Sequence, residues 1–230
     1  MPPRRLDDAL AQLVAAELIF PRGTTLDVEY TFKHTLVQDA AYDTLLRSRR
    51  QQLHGRIAAT MERQFPKIGE AQPEVLARHY AEAEFLERAV DYWLRAGRQA
   101  IARWAMTEAV AQLRKGLDLL PGLPDGPARQ ERELDLRIEL GHALATIKGY
   151  SADEPGEAYA RARQLCEELN RPAQLGPVLW GQFVYRYVRA ELDQAESLAE
   201  ELRHQGQLRN DPKMEALRFP CERGLLFRFR

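Results

Sequence analysis

Cysteine is scarce in this chain. Cys166 and Cys221 are far apart, and neither has a His or second Cys beside it at the short spacing of a zinc site. Cys166 falls in a helical pattern, where a buried free thiol is the expectation. Long apolar runs are missing as well. Nothing approaches the roughly 20 residues that span a bilayer. The opening MPPRRLDDAL has two arginines but no apolar segment behind them. Neither a membrane span nor a signal peptide is expected, and the cytoplasm is the expected compartment. The sequence has no G-x-x-x-x-G-K-[ST] and no Rossmann glycine fingerprint, so it has no loop of its own to cradle a nucleotide's phosphates. Paired carboxylates occur only within helical charge patterns. No catalytic residue, metal site or cofactor is therefore expected in these 230 residues. An excess of charge is lacking too. The formal net charge is -1, so no global field draws the chain to nucleic acid or an anionic membrane.

What remains is ordinary globular composition, 45% hydrophobic and 29% charged, enough for one large or two small domains. Leu6, Leu10, Leu13, Val14 and Leu18 recur at helical spacing. PRGTTLD then reads as a turn between ELIF and VEYTF, two short runs of β-formers, which predicts a hairpin. A helix follows with Leu36, Val37, Ala40, Ala41, Leu45 and Leu46 on one face. Another runs from about Ser48 to Gln64, where Pro66 ends it. Together these predict a small winged-helix-like unit over residues 1–70, with PKIGEAQP as a linker.

Beyond it the chain becomes helix after helix. Leu76, Ala77, Tyr80, Ala89, Trp93 and Ala96 meet the tetratricopeptide template. A second register runs through Trp93, Gly97, Ala100, Ala109, Gly116 and Pro121, with Leu113 where the template has an aromatic. Small residues let helices approach, and large ones fill the gap between successive hairpins. LDLRIELGHALATIKGY is expected to pair with GEAYARARQLCEEL, and PVLWGQFVYRYV with LDQAESLAEELR. The fold class expected is mainly α: a winged-helix-like unit with a β-hairpin, then an α-α tetratricopeptide-like superhelix over 71–206. From about Gly206 the pattern fades, and 207–230 reads as an irregular tail without a capping helix.

Three constellations have both a bland and a functional reading. His34 at the strand-to-helix junction is either a structural group at a helix end or a side chain that donates to a phosphate. Arg47, Arg49, Arg50 and Arg56, with His54, form a basic cluster. Arg49 and Arg56 share a helix face that could meet phosphate, but base-reading residues are missing from it, so nucleic-acid binding is not expected. His79 with Glu82 and Glu84 reads as a solvated helix face rather than a metal site.

YTFKHTLVQDAAYDTLLRSRRQQLHGRIAATME resembles the end of the ATPase module in bacterial signal-transduction ATPases of the STAND class. In particular it is similar to large proteins that join an adenylate/guanylate cyclase domain, a predicted ATPase and tetratricopeptide-like repeats. HYAEAEFLERAVDYWLRAGRQAIARWAMTEAVAQLRKGLDLLPGLPD and ELDLRIELGHALATIKGYSADEPGEAYARARQLCEEL resemble the repeats that follow that module. The resemblance implies that residues 1–70 are the winged-helix lid of an ATPase and that His34 faces its nucleotide. It implies ATP or ADP with Mg in an intact parent only, since cyclase domain, P-loop and Walker B acid are absent here. The implied role is a non-catalytic regulatory scaffold whose repeat surface binds a protein or peptide and whose lid meets the ATPase core. The alternative is the sensor arm of a STAND-class transcriptional regulator.

Overall fold

The computed structural model describes residues 3–24 and 27–209. The irregular tail expected over 207–230 lies mostly outside them, as does Cys221. The chain falls into two compact units that divide between His54 and Gly55. The first begins with α1 (Pro3–Ala15), whose apolar residues recur on one stripe, and continues into an antiparallel hairpin of β1 (Ile19–Thr24) and β2 (Asp27–Phe32). Register runs from Ile19 opposite Phe32 to Thr24 opposite Asp27. Pro21, Arg22 and Gly23, expected in the turn, are therefore strand residues. In a two-stranded sheet both strands are edges, so the missing N–H of Pro21 is tolerated. Then come α2 (Thr35–Asp43) and α3 (Arg47–Gln64), the second of which runs past the division.

The apolar face expected on α2 is not buried. Leu36 is 81% exposed and Leu46, just beyond the helix, 77%, while among the described residues of this unit Ile19 is the buried apolar side chain. Helical periodicity had placed Leu36, Val37, Ala40 and Ala41 together, but α2 stops at Asp43 and leaves Leu45 and Leu46 outside it.

In the second unit the expected linker is itself helical. α4 (Pro66–Ala71) starts with Pro66 in its first turn, where a proline costs no hydrogen bond and its fixed φ suits a helix start. The array follows: α5 (Pro73–Glu82), α6 (Leu86–Ala102), α7 (Met106–Leu119), α8 (Pro127–Lys148), α9 (Asp153–Glu168), α10 (Pro172–Val188) and α11 (Leu192–Arg209). Each packs on the next in sequence, and α6 also reaches α8 and α8 reaches α10. The proline-rich stretch between α7 and α8 forms one 3-10 turn, Leu120–Gly122. α10 starts five residues earlier than PVLW suggested, so Pro177 sits inside it, at an exposed position.

The core is a chain of small clusters rather than one block. Leu76, Ala77, Tyr80, Ala89, Trp93 and Ala96 join Ala58 of α3 in the first. Val90, Leu94, Leu113, Leu136 and Leu140 carry the next across α6, α7 and α8. Leu134, Leu165 and Val178 link α8, α9 and α10, and Leu179, Phe183, Ala199 and Leu202 close α10 on α11. Gly97 marks a close approach of α6 and α7, since a Cβ there would lie 2.5 Å from Leu113 Cδ2.

Polar side-chain bonds, most of them between charges, repeat the stacking. Arg98 of α6 donates to Glu139 of α8 at 2.7 Å, and Arg132 of α8 donates back to Asp91 of α6 at 2.9 Å. Arg114 of α7 meets Glu154 of α9 at 2.7 Å, Gln174 of α10 meets Asp135 of α8 at 2.8 Å, and Arg163 of α9 meets Glu201 of α11 at 2.8 Å. These partners are 38 to 41 residues apart in sequence.

Five helices end in the same way. Glu17, Glu84, Trp104, Asn170 and Ala190 have φ between 50° and 61°. At each, the N–H of that residue reaches back three residues, and the next N–H reaches back five, as Phe85 does to Tyr80 O at 2.9 Å. This is the Schellman turn, which ordinarily takes glycine at the left-handed position. None of the five is glycine. An L-residue there costs roughly 1–2 kcal/mol, partly offset by glycine's greater unfolded-state entropy. Trp104 is 79% exposed and Ala190 is exposed, so neither adds packing there. Ala190→Gly and Trp104→Gly should each raise stability by about 0.5–1 kcal/mol in urea unfolding. A loss in both would show that the turns are not strained.

Candidate functional site

His34 stands at the N-cap of α2, in extended backbone, and its carbonyl accepts the N–H groups of Val37 and Gln38 at 3.0 and 3.3 Å. Its ring is exposed and makes no capping hydrogen bond. The basic cluster is partly engaged locally. Arg50 pairs with Asp43 at 3.4 Å and lies 4.9 Å from the centre of the Tyr42 ring, and Arg49 reaches Gln52 at 3.5 Å. Tyr42 also meets His54, hydroxyl to Nε2, at 3.0 Å. Arg47, Arg49 and Arg50 belong to the first unit and Arg56 to the second. Among the described residues no three His, Cys, Asp or Glu side chains gather as a metal site, and His79, Glu82 and Glu84 do not form one. Cys166 is buried and free, and burial, with the Glu167 charge adding, pushes its thiol up to about 11.

The helical repeat positions are interior, whereas Pro121, which closes the second register, is exposed. Leu76, Ala77, Ala89 and Ala109 have no exposed surface, Tyr80 and Ala96 have 1%, Trp93 has 5%, and Gly97 is buried. Around Tyr80 and Tyr92 the structure assembles a polar group that sequence spacing did not disclose. Glu62 of α3 accepts from the Tyr80 hydroxyl at 2.7 Å, from Tyr92 at 2.8 Å and from Arg88 at 2.8 Å. The two tyrosine rings stack 5.5 Å apart, and Arg95 lies 4.8 Å from the Tyr92 ring centre. Residues 62, 80, 88 and 92 sit on three helices, so no local motif ties the carboxylate to its donors.

Burial acts to raise the Glu62 carboxyl, but the hydrogen bonds from Tyr80 and Tyr92 and the Arg88 charge outweigh it, and its pKa falls below 4.5. Burial and the bond to Glu62 push Tyr92 up to about 12 from an ordinary 10.0. The signs follow by linkage. Glu62 is lowered on folding, so its contribution is present above pH 4.5 and fades as pH falls through its folded value. Tyr92 is raised, so its contribution is present below pH 10 and is lost as pH rises toward 12. Glu62→Gln should cost about 1–2 kcal/mol at pH 7, the scale of hydrogen bonds to a charged acceptor. The gap between wild type and variant should narrow as pH falls below 4.5 and through the lower folded-state value of Glu62, and tyrosine absorbance should titrate earlier in the variant. A gap constant from pH 7 to pH 3 would contradict this linkage.

No family model matches the chain, and no solved structure matches it. An uncharacterized protein of Rhizobium meliloti (strain 1021) is 29% identical to it over 154 residues, 66% of this chain and 15% of that protein. The chain thus spans a small share of the length of the protein it matches. Among the described residues no helix is long and apolar enough to cross a membrane.

Proposed function

We propose that this chain is the non-catalytic regulatory and scaffold portion of a signal-transduction ATPase linked to a nucleotide cyclase, acting in the cytoplasm, with the helical array binding a protein partner. The observation that carries the reading is the run α5–α11, in which each helix packs on the next and alternate helices are tied by charge pairs. Such arrays present long surfaces built from successive pairs and transmit displacement along their length. The match to a small share of a much longer protein supports a chain that works beside other domains. The exposed His34 at the start of α2 supports the lid role, since a helix N-terminus and an imidazole together suit a phosphate. Nucleotide and Mg belong to the ATPase core of such a parent, and the array would shift its equilibrium between open and closed states.

The test is to express at full length the gene that encodes this chain, and to measure ATP hydrolysis and cyclic-nucleotide formation with residues 73–209 present and deleted. A change in turnover or nucleoside diphosphate retention on deletion, with His34→Ala weakening retention, supports the reading. A gene without a phosphate loop, or turnover indifferent to the array, overturns it. A helix-turn-helix domain in place of the cyclase would assign the chain to a transcriptional regulator instead. The purified chain alone should show no turnover above a blank preparation.

A further inference from the structure

On α10 the residues Ala173, Pro177, Trp180, Val184, Tyr187 and Val188 recur at helical spacing and form one stripe. Ala173 and Pro177 are exposed, Trp180 and Val184 are half-buried, and Tyr187 and Val188 are 52% and 53% exposed. The Trp180, Phe183 and Tyr187 rings stack in series, with centres 5.5 and 5.8 Å apart, so the aromatic part of the stripe is held in place. No charged side chain interrupts it. The other helices of the same row differ. α6 reaches α8 and α8 reaches α10. Yet the exposed or half-buried stripe of α6 holds Asp91, Arg95 and Arg98, and that of α8 holds Asp135, Glu139 and His142. The apolar stripe is therefore a property of α10 and not of the array. An uninterrupted apolar stripe facing water marks a surface that something covers.

The chain itself supplies a cover. α11 joins α10 through three residues, 189–191, so the two run antiparallel and α11 ends beside the start of α10. Residues 210–230 continue from that point. At about 1.5 Å per residue, the 17 residues of α10 span about 26 Å. The 21 residues 210–230 reach about 31 Å as a helix and further when extended, enough to run the length of the stripe. Leu217, Phe219, Leu226 and Phe229 are among the apolar residues they bring. Charge favours the same fit. Residues 210–230 hold five cationic side chains and three acidic ones. On α11, the helix packed beside α10, Asp193, Glu196 and Glu200 are exposed and form no ion pair among the described residues, and half-buried Arg203 offsets one of them. We infer that residues 210–230 lie along the α10 stripe as a strap that closes this end of the array, with apolar side chains on Trp180, Val184 and Tyr187 and cations toward Glu196 and Glu200. A partner that uses the α10 surface must displace the strap. The inference goes beyond the proposed function, which needs neither the stripe nor its cover.

The test uses the thiol already inside the segment. Cys221 belongs to it and Cys166 is buried, so one added cysteine in the full chain reports contact. Val184→Cys and Val188→Cys place that cysteine at two points of the stripe, and Ser197→Cys places it on the exposed side of α11 as the control. Circular dichroism checks that each variant keeps its helices. Under mild oxidation, a segment held on the stripe raises the local concentration of Cys221 there. The intramolecular disulfide to Cys221 should then form at least about tenfold faster from position 184 or 188 than from 197. Glu196→Lys with Glu200→Lys, both at exposed positions, should slow that link, and so should raised salt. Equal rates at all three positions overturn the inference, because a segment that visits every surface alike is not docked. Disulfide-linked dimers in place of the intramolecular link overturn it in favour of a second copy on the stripe. A fast link that ignores both the lysine pair and salt overturns the part assigned to charge.

Discussion

Replacing Trp93 by alanine should cost about 3–5 kcal/mol of unfolding free energy, the range for deleting a large buried aromatic. The indole is 5% exposed and is the largest side chain in the cluster that joins α3, α5 and α6. It is fenced by small residues that cannot expand into the space it would leave: Ala77, Ala89 and Ala96 are each at most 1% exposed. Gly116 of α7 comes so near that a Cβ there would lie 3.3 Å from the Trp93 Cβ, and Lys115 places its ammonium 4.7 Å from a ring of the indole. The alanine therefore leaves a cavity rather than a collapsed wall. Trp104→Ala is the internal control, because Trp104 is 79% exposed and its removal should move stability by less than about 0.5 kcal/mol. Chemical denaturation of both variants settles the matter. A loss under about 1 kcal/mol at Trp93 would mean that the repeat contacts do not hold α5 and α6 together.

Trp93 was legible in the sequence because the template couples it to Tyr80 and to small residues at fixed offsets, and both sides of that coupling are local. The helix pairs α8 with α9 and α10 with α11 were legible for the same reason. The hairpin was legible from its β-formers, though not its length, since Pro21 and Gly23 look like turn residues until their partners Tyr30 and Val28 are known. The face of α2 shows the limit of periodicity. Leu36 shares a stripe with its neighbours, but a stripe states which residues lie together and not what covers them. The Glu62 group was hidden because the carboxylate is 18 to 30 residues from its donors, on helices whose relative placement depends on the whole array. The charge pairs between alternate helices were hidden similarly. Their spacing of about 40 residues is visible only once helix lengths are fixed. The left-handed turn residues gave no signal at all, since glycine is the marker for that conformation and none of the five carries it.

Gly181→Val should destabilise the chain by about 3 kcal/mol, at the upper end of the usual cost of overpacking a core. A Cβ at Gly181 would stand 2.4 Å from Tyr159 Cζ and 2.6 Å from both neighbouring ring carbons. The ring has no route away. Gly141 of α8 touches it as well, where a Cβ would lie 2.9 Å from the same Cζ, and Tyr159 is only 6% exposed. The tyrosine of α9 thus lies in a slot made by the absence of side chains on α8 and α10, so the distance between those two helices is set by one ring. A β-branched residue at 181 must push α10 outward or force Tyr159 from its rotamer. If the ring is the cause, its removal should remove the penalty. Tyr159→Ala alone should cost about 3–5 kcal/mol through the cavity it opens. In that background Gly181→Val should be nearly neutral or stabilising, because the valine fills part of the same space and has a higher helix propensity than glycine. The double-mutant cycle should therefore show a coupling of about 2–3 kcal/mol. Additive losses would mean that Gly181 is required for its backbone and not for the ring it admits, and that the α8–α10 approach is set by other contacts.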